Sequence, residues 1–167
     1  MNTSRHRLIG LPALVALSIT VAGCSSADDG GSAAVPSPGT KVAALCQKLD
    51  DAVPAKVAGE SRRDPEPEST LTAGWGNPEI ILRCGVERPP KMTDPKVAEG
   101  GDPDAVPGGV EGVDWLMERG DSGAYRFTTA NRQAYVEVTV AEGVDSSAVL
   151  IDLAPAVKKA IPEGIAP

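Results

Sequence analysis

Residues 133–140 constrain the fold more than any other segment of the chain. Their side chains alternate between apolar and polar, with Ala134, Val136, Val138 and Val140 set between Gln133, Tyr135, Glu137 and Thr139. A period of two predicts a β-strand with one buried face and one more polar face. A second β-rich segment, residues 124–128, precedes it, and residues 129–132 between them suit a tight turn. We therefore expect a hairpin whose apolar face needs a cover from elsewhere in the chain.

Two segments with apolar residues at helical spacing can supply that cover. The first begins at Thr40, a plausible N-cap, and ends before Pro54, with its apolar stripe at Val42, Leu45, Cys46, Leu49 and Val53. The second opens at Asp145 and carries its stripe at Val149, Leu150, Leu153, Val157 and Ile161. Pro155 lies inside the second segment and is predicted to kink or divide the helix.

The segments between the helices complete the predicted fold. Residues 71–75, 80–86 and 113–118 are further strand candidates, the second of them a central strand. Residues 88–109 are rich in proline and glycine and are predicted to form one long loop, of a length that is usually functional or disordered. The order is helix, about four or five mostly antiparallel strands, then helix. This order predicts an α+β fold with the N- and C-terminal helices packed on one face of the sheet.

Residues 1–23 are organised like an export signal. Arg5 and Arg7 precede an apolar segment, Leu8 to Ala22, that is too short for a comfortable membrane span. The segment ends in Val21-Ala22-Gly23-Cys24, which resembles the lipobox of bacterial lipoproteins, where the cysteine is lipidated and becomes the N-terminus. The alternative interpretation is an ordinary secretory signal with a chance cysteine.

The lipobox interpretation predicts the location and the domain organisation. Cys24 would carry a diacylglyceryl group, whose two acyl chains anchor stably in a bilayer. Residues 24–39 are small and polar and are predicted to form a flexible membrane tether. Residues 40–167 would then be a single domain on the outer face of the plasma membrane.

Composition excludes several classes of function. The net charge is −7, and loss of the signal would make it more negative, so nucleic acid is not an expected partner. The only histidine, His6, lies in the signal, which leaves the mature chain without Ser-His-Asp or Cys-His catalysis and without histidine metal ligands. The acidic residues of the 88–109 segment lack the spacing of an EF-hand loop. We therefore expect no metal and no cofactor.

Cys46 and Cys84 remain once Cys24 is assigned to a lipid. Both lie in apolar, ordered segments, and an exported protein can form disulfides. A bridge between them would contribute about 4 kcal/mol by loop entropy. Two buried free thiols and a redox pair are the alternatives, although the chain has no Cys-x-x-Cys motif.

Four residues are candidates for binding, and three of them have a structural alternative. Trp75, between two glycines, either exposes its ring to a sugar or peptide or lies at the core edge with its N–H on a carbonyl. Arg62 and Arg63 either grip a carboxylate or phosphate or pair with acidic neighbours in their loop. Arg83, within the predicted central strand, is the fourth.

The motifs taken together resemble a known family. They are Cys46 on the first helix, Arg62-Arg63, Trp75-Gly76-Asn77-Pro78, Leu82-Arg83-Cys84-Gly85, Val113-Asp114-Trp115-Leu116 and residues 134–138. In this order, behind a lipobox, they resemble a family of small actinobacterial lipoproteins, the domain-of-unknown-function family numbered 3515. That family has no assigned activity to carry over. The resemblance supports the lipoprotein interpretation and the pairing of Cys46 with Cys84.

The favoured function is a cell-envelope binding or interaction module, with an envelope protein or a wall component as partner. One alternative is a carboxylate-based enzyme acting on envelope polymers. Another is a small-ligand sensor in which the 88–109 loop acts as a lid.

Overall fold

The computed structural model describes residues 32–77, 79–120 and 122–167. Within these residues the helices are α1 (Thr40–Asp50), α2 (Pro95–Ala98) and α3 (Ser146–Ala160), with a 3-10 turn at Pro90–Thr93. The strands are β1 (Lys56–Val57), β2 (Glu60–Ser61), β3 (Thr72–Trp75), β4 (Ile80–Cys84), β5 (Ala105–Val110), β6 (Val113–Arg119), β7 (Tyr125–Thr129) and β8 (Val136–Val140).

The fold is α+β, built on an antiparallel sheet of six strands in the order β3-β4-β8-β7-β6-β5. Strands β1 and β2 form a separate two-stranded sheet. The apolar face of the large sheet packs with α1 and α3 into one core, which includes Val42, Cys46 and Leu49 of α1. The predicted alternation in β8 is confirmed, because Val136, Val138 and Val140 are buried while Glu137 and Thr139 are half-buried on the other face.

The two long helices begin differently. The N-cap of α1 is Gly39 rather than Thr40, and no side chain caps its first turn. In α3 the Asp145 carboxylate accepts hydrogen bonds from the amides of Ser147 and Ala148. These are two of the backbone N–H groups that have no partner within the helix at its start. Pro155 does not divide α3, which runs from Ser146 to Ala160. The Pro155 side chain is exposed.

The sheet has more strands than the four or five predicted, and one of the additional strands lies inside the 88–109 segment. That segment is not one continuous loop, because it contains the 3-10 turn, α2 and most of β5. Strand β5 pairs with β6 across a two-residue turn in which Glu111 and Gly112 both have positive φ, as a type I′ hairpin requires. An edge strand tolerates Pro107, which a central strand would not.

The second face of the sheet is more polar and is covered at both ends. At the β5–β6 end, Val97 of α2 packs with Ala105 and Leu116 in a small separate apolar cluster. At the β3–β4 end, the chain that precedes α1 lies over the sheet. The candidate site is at this second end.

Candidate binding groove

Two cross-strand ion pairs mark the polar face of the sheet. Arg83 on β4 lies opposite Glu137 on β8, and its Nη1 donates a hydrogen bond of 3.0 Å to Glu137 Oε1. Arg126 on β7 lies opposite Glu118 on β6, and its Nη2 lies 3.0 Å from Glu118 Oε1. The hydrogen bond that Arg126 donates to the Glu118 carboxylate raises the pKa of Arg126. Opposite charges in such positions stabilise the pairing of neighbouring strands.

The segment before α1, residues 32–39, lies against this face, and we call it the N-terminal strap. Its Ala33 is buried, and the Ala33 amide donates to the Glu66 carbonyl at 3.1 Å. Arg83 Nε donates to the Ala34 carbonyl at 2.9 Å, so the Arg83 guanidinium joins the strap to β8. The strap forms the last part of the segment predicted as a tether, and it is held on the domain by these contacts.

Between the strap and the end of β4 lies an open groove of about 730 Å³. Its walls come from the strap and the start of α1, from the end of β4 and the chain after it, from β8 with the residues before it, and from Ala166 and Pro167. They are lined by Pro36, Pro38, Val42, Arg83, Arg88, Tyr135 and Glu137 among others. The groove therefore combines prolines and an aromatic ring with two arginines.

The groove carries charges of both signs, from Arg83 and Arg88 and from Glu87 and Glu137. Arg88 is exposed, and no other residue in the described part of the chain forms an ion pair with it. The uncapped first turn of α1 directs partial positive charge toward the same end of the molecule. Glu87 and Glu137 add negative charge, but Glu137 is already paired with Arg83. Arg88 is thus the group best placed to take an incoming carboxylate.

Of the residues that the sequence singled out for binding, the structure brings only Arg83 to the groove. Trp75 is 0% exposed, and its indole Nε1 donates to the Pro54 carbonyl at 2.9 Å. Its ring is therefore a core side chain, and it has no free face for stacking on a sugar or peptide.

Arg62 and Arg63 lie away from the groove and have partners of their own. Arg62 forms ion pairs with Asp50 and Asp64. Burial lowers the pKa of Arg62, but its hydrogen bonds with the two carboxylates outweigh that effect and the pKa is raised. The exposed Arg63 donates to the Asn77 side-chain oxygen.

The other predictions from the sequence concern the disulfide, the lipid anchor, metal binding and membrane spans. Cys46 and Cys84 form a disulfide that ties α1 to β4. Cys24 and the predicted signal lie outside the described residues. Within residues 32–77, 79–120 and 122–167, no group of His, Cys, Asp or Glu side chains is arranged to hold a metal ion. None of the helices in that part of the chain is long and apolar enough to cross a membrane.

Sequence reasoning missed Arg88, Tyr135 and the strap as parts of one site. Tyr135 and Glu137 could have been assigned to one face from their alternation with the valines. Nothing in the sequence, however, indicates that residues 36–39 lie beside that face. Their small and polar composition resembles that of a linker.

Comparisons with known proteins give one result. A family model described as "Protein of unknown function (DUF3515)" matches residues 8–166. No curated protein and no solved structure matches the chain.

Proposed function

The chain belongs to the DUF3515 family of proteins of unknown function, and from this premise we propose that it is an actinobacterial lipoprotein which binds an envelope component through the groove. It is anchored on the outer face of the plasma membrane by a diacylglyceryl group on Cys24. The family match begins at residue 8 and so includes the apolar segment and the cysteine. The abundance of Ala, Gly, Val and Pro supports an actinobacterial source.

The observation that carries this proposal is that the strap is both a groove wall and the continuation of the anchored segment. Pro36 to Gly39 line the groove, and the strap begins at Ser32. The segment from Cys24 to Ser32 can reach at most about 28 Å when fully extended, at about 3.3–3.6 Å per residue. The anchor therefore holds the groove close to the bilayer, and its partner lies in the same zone.

The lining of the groove supports a partner with mixed chemistry. The prolines, Val42 and Tyr135 favour contact with apolar stems, and Arg88 favours a carboxylate. An acidic segment of an envelope protein or of a wall component has both features.

The anchor is tested by replacing its attachment point. The wild-type chain is expected to take up labelled palmitate and to sediment with membranes, and Cys24→Ala is expected to lose both properties. Unchanged labelling of Cys24→Ala would exclude lipidation at this residue.

The groove is tested separately in intact cells that carry the anchored protein. A photo-crosslinking amino acid at Tyr135 is expected to capture a partner that the same group at Lys159, an exposed position on α3, does not. Arg88→Glu should reduce that capture several-fold, while Arg63→Glu, the same charge reversal outside the groove, should not. Equal capture from positions 135 and 159, or an equal effect of the two charge reversals, would exclude the groove as the binding site.

A further inference from the structure

A second cavity lies where the chain after α3 meets the β5–β6 turn and the β7–β8 turn. Its volume is about 390 Å³, which is within the range of small-molecule sites. Its lining includes Gly112, Asp114, Asn131, Arg132, Glu163 and Gly164. Three of these side chains carry charge, one positive and two negative. The cavity therefore presents charges of both signs to a molecule that enters it.

The cation of this cavity is Arg132, which is only 5% exposed. Its Nη1 donates to the Ile161 carbonyl at 3.1 Å, and its Nη2 donates to the Gly112 carbonyl at 3.0 Å. Both acceptors are neutral. The ion-pair partner that Arg132 has among the described residues is Glu163, whose Oε1 lies 3.9 Å from Nη2, beyond hydrogen-bond distance. Because a buried charge is costly unless it is closely paired, this guanidinium favours an anion that binds more closely.

The guanidinium of Arg132 faces the cavity through its Nη2. Glu163, the residue opposite Nη2, lines the same cavity, and its side chain is 83% exposed. The gap between Nη2 and the Glu163 carboxylate therefore lies on the open side of the guanidinium. An ion pair with so exposed a partner contributes little to stability. Glu163 can consequently release Arg132 to a ligand at little cost to the fold.

The two carboxylates of the cavity are available to a positive group. Asp114 is exposed and accepts a hydrogen bond of 3.0 Å from the Asn131 side-chain amide. It forms no ion pair with any residue in the described part of the chain. Glu163 has only its distant contact with Arg132. A cationic group in the cavity would thus meet two carboxylates that no close positive charge neutralises.

We propose that this cavity binds a small zwitterion, the ammonium and carboxylate of a free α-amino acid. The carboxylate pairs with Arg132, and the ammonium pairs with Asp114 and Glu163. A simple anion would be repelled by the two acidic side chains, and a simple cation would leave Arg132 without a close partner. On binding, Glu163 exchanges the guanidinium for the ammonium of the ligand. This site goes beyond the proposed function and needs neither the groove nor the anchor.

The experiment uses the full chain in detergent and L-alanine as the probe. The backbone amide of Gly164, which donates to the Asn131 carbonyl at 3.0 Å in the cavity wall, is expected to shift saturably in ¹H–¹⁵N spectra. The amide of Gly143 should stay in place, because α3, with 15 residues and a length of about 22 Å, lies between it and the cavity.

Two analogues of the probe test the need for both charges. Propionate has the shape of alanine without the ammonium, and ethylamine lacks the carboxylate. Each is expected to bind about fivefold more weakly than L-alanine, the factor for one ion pair at an accessible site. Absence of a saturable shift at Gly164, or equal affinities for L-alanine and propionate, would overturn the proposal.

Two substitutions at exposed positions test the residues without disturbing the buried arginine. Asp114→Asn and Glu163→Gln should each weaken L-alanine about two- to fivefold, because each removes a partner of the ammonium. Each should also strengthen propionate, since less negative charge then competes for Arg132. Glu99→Gln, the same loss of charge at the end of α2 and outside the cavity, should change neither affinity. Weaker binding of L-alanine with no gain for propionate, or an equal effect of Glu99→Gln, would overturn the assignment of these roles.

Discussion

Pro38 of the strap packs directly onto Gly85, the residue that follows β4. A Cβ at position 85 would lie 2.6 Å from Pro38 Cγ, which is closer than carbon atoms approach one another. Gly85 also has a φ of 83°, and its amide donates to the Tyr135 carbonyl at 2.8 Å. This contact joins two walls of the groove at one point.

Gly85→Ala is therefore expected to displace the strap as well as to strain the backbone. Gly143→Ala is the matched control, because Gly143 has a φ of 87° but no atom within 4 Å of a built Cβ. We expect the control to lower the free energy of unfolding by about 1–2 kcal/mol, and Gly85→Ala by about 1–3 kcal/mol more. Urea unfolding measures both, and protease cleavage within residues 32–39 should increase in Gly85→Ala alone. Equal losses and equal cleavage would mean that the strap does not depend on this contact.

The disulfide between Cys46 and Cys84 closes a loop with a sequence separation of 38. Restricting such a loop in the unfolded chain stabilises the fold by about 4 kcal/mol. Treatment with a thiol reductant is expected to lower the urea midpoint of the wild-type protein by a corresponding amount. The variant with both cysteines replaced by alanine should start near the reduced value, and the reductant should leave its midpoint unchanged. A reductant effect of similar size in that variant would assign the loss to another cause.

Most of the fold could be predicted because it depends on local periodicity. The alternating valines of β8 and the apolar stripes of α1 and α3 follow directly from the spacing of side chains. Strand β5 could not be recognised, since its Ala-Val-Pro-Gly-Gly-Val sequence has the composition of a loop and pairs only because β6 lies beside it. At such an edge the pairing with the neighbouring strand decides the structure more than the intrinsic β-propensity of the residues does.

The candidate site was less predictable for a related reason. The sequence around Arg83 contains no feature that distinguishes a groove residue from any other polar residue of a strand. Its role in the groove comes from the Ala34 carbonyl and from Glu137, which are far from it in sequence. For Trp75 the sequence left two possibilities, an exposed ring on a turn and a core-edge ring with its N–H on a carbonyl, and tertiary packing selects the second.

Lys91 and Asp102 form an ion pair with an N–O distance of 2.8 Å. The hydrogen bond from Lys91 lowers the pKa of Asp102 below its ordinary value, and the amide of Asp104 contributes in the same direction. Because the folded-state pKa lies below the unfolded one, the stability from this carboxylate is present above the unfolded pKa. It is lost as the pH falls through the folded pKa.

An NMR titration of the Asp102 carboxyl carbon checks this directly. Lys91→Met is expected to raise the pKa of Asp102 toward its ordinary value, leaving the smaller effect of the Asp104 amide. Lys159→Met, which removes an exposed lysine from α3, should leave the pKa unchanged. Added salt should raise the pKa in the wild type as well, because the pair is accessible to solvent. A titration curve that is identical in wild type and Lys91→Met would exclude the pair as the cause.

Pro107 protects the exposed edge of the sheet. The Arg119 amide donates to the Asp104 carbonyl at 2.9 Å, which makes these two residues a hydrogen-bonded pair. Since such pairs alternate along an antiparallel ladder, Val106, Gly108 and Val110 bond to β6, while the backbone of Pro107 faces outward. At this outward position proline removes the N–H that a foreign strand would use.

Pro107→Val is therefore expected to promote edge-to-edge association with little change in the free energy of unfolding. Sedimentation at rising protein concentration should detect dimers or larger species in Pro107→Val under conditions where the wild type remains unchanged. Val106→Thr, a β-branched substitution at a neighbouring position that bonds to β6, serves as the control because it leaves the outward donors as they are. If Pro107→Val associates no more than this control, the proline is not what keeps the edge of β5 from pairing.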